Sequence, residues 1–181
     1  MDTRLIELLP RAMNLRNGDA KVIKNAGAIV SHPFGSVMRS ILVAVYDLLA
    51  AEVAVVGHYG CGMTGLSSAH VLQKAAARGI SQETLLTLQH AGIDLQRWLT
   101  GFDSPEDGVR QSVAVIRQHP LLPKDVPVYA VGGVGAGNMT EWRQAGAAGF
   151  GMGSDLFKPE FNDEEIAARA RQSVAAFQAA G

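Results

Sequence analysis

The sequence predicts an α/β protein, a parallel or mixed β-sheet flanked by helices, and three observations lead there. Short apolar runs that end at glycine, such as Val53 to Gly57 and Val126 to Val131, alternate with longer segments of helical periodicity. The hydrophobic fraction is 48% with 20 glycines in 181 residues, a balance that suits layers joined by tight turns. The longest apolar run, Ile41 to Ala51, is broken by Asp47 and is too short to span a bilayer.

The elements follow in order. Thr3 to Met13 reads as a short helix with Leu5, Leu8, Leu9 and Ala12 on one face. Asn17-Gly18 marks a turn, and Ala20 to Lys24 reads as a strand. His32-Pro33-Phe34-Gly35 leads into a helix from Ser36 to about Ala51, with Ser36 as its N-cap. Val53 to Gly57 is a strand, and Gly65 to Arg78 and Ser81 to Ala91 are helices. Ser104 to Gln118 is a helix capped by Asp103 or Ser104, with Pro105 in its first turn. The chain then runs through strand Val126 to Val131, helix Asn138 to Ala145, strand Gly149 to Met152 and helix Asp163 to Ala180. No internal repeat or low-complexity linker interrupts it.

Composition narrows the function classes. The length suits one ordinary domain and is too short for two complete ones. A formal net charge of −1 with no Lys/Arg run argues against nucleic acid or an anionic membrane as partner. A single cysteine allows no internal disulfide and suits a reducing compartment. The opening residues lack the layout of a secretory signal, so a cytoplasmic location is expected.

The chemically richest stretch is Gly57-His58-Tyr59-Gly60-Cys61-Gly62, at the end of a predicted buried strand. Ligands gather at the carboxyl ends of strands in open α/β sheets. His58 and Cys61 there could hold one metal ion, zinc above others, because zinc accepts imidazole and thiolate together. The competing reading is a strand-end histidine bonded to backbone beside a small buried thiol. Spacing alone leaves both open.

Three ordered motifs carry a resemblance. Met1-Asp2-Thr3-Arg4-Leu5-Ile6, Val22-Ile23-Lys24-Asn25-Ala26-Gly27-Ala28 and Gly57-His58-Tyr59-Gly60-Cys61-Gly62-Met63 together resemble the β-class carbonic anhydrases. The likeness continues through His90 to Asp94, Trp98 to Phe102 and His119 to Pro123, covering about residues 1–128. It implies zinc as cofactor, CO₂ and bicarbonate as substrates, and assembly as a homodimer. It implies His58 and Cys61 as zinc ligands, and Asp2, paired with Arg4, as the catalytic carboxylate beside the metal-bound hydroxide. Lys24 would point towards the mouth of the site. In that family a further cysteine ligand stands immediately before the position of Met1, at the end of a central strand. Neither is in this sequence, so the resemblance implies a lost ligand and a lost strand. A carboxylate, Asp2 foremost, is then the expected replacement ligand.

From about residue 126 the character changes. Ala130-Val131-Gly132-Gly133-Val134 and Ala145-Gly146-Ala147-Ala148-Gly149-Phe150-Gly151-Met152-Gly153-Ser154 resemble the last two βα units of the (β/α)₈ aldolase acting on 2-keto-3-deoxy-6-phosphogalactonate. That likeness implies a phosphate site on Gly132, Gly133, Gly153 and Ser154. It does not bring the aldolase's Schiff-base lysine, and Lys124 and Lys158 read as solvated loop charges. Residues 1–126 are thus expected to be a truncated carbonic anhydrase-like region. Residues 127–181 are expected to be an aldolase-like βαβα segment, the two packed as one compact domain, with a tail strand either filling the place of the missing central strand or extending the sheet elsewhere. Three functional readings follow: an impaired zinc protein, a phosphate- or phosphosugar-binding module, or a fusion product without activity. His32, His70, His90 and His119 show no metal spacing. Asn25 to Gly27 is expected to shape a turn, Trp98 and Phe102 to pack under a loop, and Tyr59 and Met63 to form pocket wall or interface.

Overall fold

A computed structural model describes residues 3–181. Its helices are α1 (Leu5–Ala12), α2 (Ser36–Tyr46), α3 (Ser68–Ala77), α4 (Gln82–His90), α5 (Leu95–Leu99), α6 (Pro105–Arg117), α7 (Met139–Gln144) and α8 (Asp163–Ala179). The strands are β1 (Val53–Val56), β2 (Val128–Val131) and β3 (Gly149–Gly151), forming one parallel sheet in the order β1-β2-β3. The α/β class read from the sequence is the class observed.

Register decides where chemistry can sit. Val56 pairs with Val131, and Val131 with Gly151. The three strands thus end side by side, and the loops that follow Val56, Val131 and Gly151 all leave from the carboxyl edge of the sheet. Both tail strands extend the sheet outward from β1.

A single apolar cluster underlies this sheet. Val30, Met38, Val55, Val109, Val113 and Ile116 meet Val128, Ala130, Val134, Met139, Trp142 and Ala147 in it. Residues before and after position 126 thus bury their side chains against one another. Helix α6 forms the base of this arrangement: Ser104 caps it by accepting from the Asp107 N–H at 3.1 Å, and Pro105 opens its first turn. Fully buried Ser112 accepts from the Val30 N–H at 3.1 Å and ties the segment ahead of α2 to α6. Arg110 of α6 pairs with Asp107 and reaches Glu141 of α7. A capping box at Asn162 and Glu165 starts α8.

Several sequence expectations need correction. Residues 20–24 form no strand: they are irregular and exposed, with Val22 at 56% and Ile23 at 42%, because no strand lies beside them to bond their backbone. Helix α2 begins after Gly35, whose extended backbone makes it the cap in place of Ser36, and it stops at Tyr46. The α1 face is only half formed, since Leu8 is exposed while Leu5 and Leu9 are half-buried. Trp98 does not pack under a loop: it is 63% exposed, because the short α5 docks through Leu95. No helix among the described residues is long and apolar enough to cross a membrane.

Candidate functional site

The loop after β1 is shaped by two close backbone approaches. Gly57 lies where any Cβ would fall 2.6 Å from Val109 Cγ2, so α6 packs directly on the strand end. Its N–H donates to the Val131 carbonyl at 2.8 Å, carrying the ladder one residue past β1. Gly132, at φ 118, then folds onto the Gly57 carbonyl, which leaves room for hydrogen alone.

His58 follows, half-buried. Its Nδ1 lies 2.9 Å from the Tyr59 carbonyl oxygen. A carbonyl only accepts, so Nδ1 carries the hydrogen in this contact, and a ring with one hydrogen then has its lone pair on Nε2. Gly60 (φ 68) turns the chain so that Cys61 comes back on the same loop, half-buried, its carbonyl accepting from the Thr64 N–H at 3.1 Å. Arg4 reaches this loop from the entry of α1, with Nη2 3.3 Å from the Gly60 carbonyl. Three sequence-predicted residues, Arg4, His58 and Cys61, therefore converge on one loop. Asp2 lies outside the described residues.

Beneath the loop sits the Asn25–Gly27 turn. Gly27 (φ 75) faces Phe102 and Met63 with no space for a side chain, and Asn25 Nδ2 donates to the Ile29 carbonyl at 2.6 Å. Phe102 is buried, and a backbone bridge joins Thr64 to Phe102. These contacts fix the shape of the turn.

A catalytic zinc centre needs three protein ligands and one open position. Among the described residues no group of three His, Cys, Asp or Glu side chains could hold a metal ion. His58 and Cys61 supply two donors of the right chemistry, and those two do not by themselves fit a zinc centre.

The glycine loop after β2 meets this loop where Gly132 lies on Gly57, and carboxylates lie against it. Glu106, in the first turn of α6, packs against Gly133. Asp155 lies 2.9 Å from where a Cβ on Gly135 would stand. Asn138 closes the β2 loop by donating to the Gly133 carbonyl (2.9 Å) and accepting from the Gly135 N–H (3.0 Å). After β3, the Gly153 carbonyl accepts from Leu156 and Phe157, and Ser154 is exposed. A phosphate at Gly132, Gly133, Gly153 and Ser154 would meet Glu106 and Asp155 as like charges.

Sequence reasoning missed one contact at this edge of the sheet. The Tyr59 hydroxyl donates to Glu106 Oε1 at 2.8 Å. That bond holds the phenol above its ordinary pKa, helped by partial burial and by the charges of Glu106 and Asp155. No local pattern announces a pair 47 residues apart.

Comparison with known proteins gives the family. The family model described as carbonic anhydrase matches residues 1–132. The chain belongs to the β-carbonic anhydrase family. YvdA of Bacillus subtilis (strain 168), whose name places it among the carbonic anhydrases, is 63% identical over 131 residues, 72% of this chain and 66% of that protein. The crystal structure of a β-carbonic anhydrase from Trichomonas vaginalis aligns with TM-score 0.66 at 32% identity, covering 73% of this chain and 71% of that one. The tail is similar to 2-dehydro-3-deoxy-6-phosphogalactonate aldolase of Escherichia coli (strain K12), 43% identical over 60 residues, 33% of this chain and 29% of that enzyme. The chain spans about two thirds of the length of the curated carbonic anhydrase relatives it matches.

Proposed function

We propose that this chain is a carbonic anhydrase-type zinc protein, directed at the reversible hydration of CO₂ to bicarbonate, in which an incomplete ligand set impairs metal binding and turnover. One observation carries the reading: His58 and Cys61 share a glycine-shaped loop at the sheet's carboxyl end, with no third described donor beside them. The family supplies the expectation of zinc and CO₂, and Cys61 is the only thiol in the 181 residues.

Within this reading His58 and Cys61 are the metal-facing residues, and the Nδ1 contact makes Nε2 the ring nitrogen turned to the metal. Arg4 braces the loop at Gly60, and Asp2 is the carboxylate that the family resemblance offers as a further ligand. A carboxylate held as a ligand would be drawn away from its expected role beside the reacting water, so a filled site would still be a slow one. The exposed apolar residues Ile6, Leu8 and Tyr59 support self-association, as expected of a family built from dimers. We assign the aldolase-like tail a structural role: it supplies β2 and β3, while Glu106 and Asp155 oppose an anion at its glycine loops.

The test is stopped-flow CO₂ hydration of the zinc-supplemented chain, beside Asp2→Ala and His58→Ala. The reading expects turnover far below about 10⁶ s⁻¹, the rate available to a zinc-bound hydroxide at a complete site. It also expects zinc to bind less well in both variants. Fast zinc-dependent hydration would overturn the impairment, and zinc affinity unchanged by Asp2→Ala would overturn the proposed third ligand.

A further inference from the structure

The loop from Gly57 to Gly62 contains three glycines in six residues and is therefore costly to hold in one conformation. Among the described residues, several tethers hold it. Gly57 is held by the Val131 carbonyl, Gly60 by Arg4, and Tyr59 by Glu106. The Tyr59 ring is 61% exposed, so little packing restrains it besides that last bond.

Glu106 is itself well anchored. It belongs to the first turn of α6, behind the Ser104 cap and the buried Pro105, and its side chain lies on Gly133, where no side chain would fit. It thus joins three separate pieces: the His58 loop, helix α6 and the first turn after β2. The Tyr59 residue it holds is the same one whose carbonyl accepts from His58 Nδ1.

We infer that Glu106 is a positioning residue for His58: by holding the Tyr59 hydroxyl it fixes the Tyr59 carbonyl, which selects the Nδ1–H tautomer and turns Nε2 outward from the backbone. The inference rests on the proposed reading only in taking Nε2 as the metal-facing atom. The tautomer itself is a property of this chain without metal. A solvated histidine side chain favours the opposite tautomer, with hydrogen on Nε2, so the effect has a direction. The tether costs the site nothing in charge, because Glu106 accepts from a neutral phenol.

The experiment is a long-range ¹H–¹⁵N correlation spectrum of the imidazoles in the full chain, at a pH where the rings are neutral, without added metal. The five histidines are assigned by single substitution, and buried His119 serves as an internal control for folding. The wild-type chain should show His58 as the Nδ1–H tautomer. Glu106→Ala and Tyr59→Phe should each move the tautomer ratio by about fivefold towards Nε2–H, the weight of one modest hydrogen bond. Glu106→Gln keeps an accepting oxygen and should restore the wild-type ratio, which a merely structural role for the carboxylate would not require. An unchanged His58 tautomer in Glu106→Ala, with His119 signals intact, would overturn the inference. So would a wild-type ring already protonated on Nε2. Zinc added afterwards separates the two ideas: His58 signals that ignore zinc in every variant refute the metal reading and leave the tautomer result standing.

Discussion

Replacing Trp142 with alanine should weaken the whole chain, including the half that contains His58. Trp142 lies on α7, fully buried, with Nε1 donating to Asn138 Oδ1 at 3.1 Å and the Arg110 guanidinium 6.0 Å from its ring centroid. It sits in the same apolar cluster as Val55, Val109 and Ile116. A buried Trp→Ala change costs about 3–5 kcal/mol through lost transfer free energy and the cavity left behind. At about 2–4 °C per kcal/mol for a chain of this size, the melting temperature should fall by roughly 6–20 °C. Circular dichroism follows the total fold, while the reaction rate of Cys61 with a thiol reagent follows the β1 loop. Both should shift together, in one transition. A Cys61 that stays protected at temperatures where the tail has melted would refute a core shared across position 126.

Other consequences are open to direct measurement. Gly57→Ala places a methyl 2.6 Å from Val109 Cγ2 and should destabilise by about 1–3 kcal/mol, read from the urea midpoint. Asn162→Ala removes the capping box of α8 and should cost about 1 kcal/mol in the same assay. The Tyr59 phenol should deprotonate at higher pH than an ordinary tyrosine, because ionisation forfeits its bond to the Glu106 carboxylate and adds a like charge beside it. Ultraviolet difference titration of the wild-type chain against Tyr59→Phe gives the value, and Glu106→Gln should bring it down.

Much of this was legible in the sequence because local signals carried it. The apolar run at Val53–Val56 ending in Gly57, the Ser104-Pro105 helix start and the two glycine exits at Gly132 and Gly151 each name their element without outside help. The family motifs likewise placed Arg4, His58 and Cys61, which the fold brings onto one loop. What failed depended on neighbours. Val22 and Ile23 have strand composition, but a strand exists only where another bonds it. Trp98 looks like core until the short α5 turns it outward. The glycines of the tail suggested a phosphate cradle, and only three-dimensional packing revealed Glu106 against Gly133 and Asp155 against Gly135.

The most direct test of the proposed incomplete site is zinc per chain, measured by elemental analysis after dialysis against a mild chelator. Two donors on one loop, helped at most by a carboxylate, should retain zinc well below one equivalent, and His58→Ala should abolish what remains. Retention of one zinc per chain through that dialysis would contradict the account, because it would mean that a complete ligand set forms around His58 and Cys61.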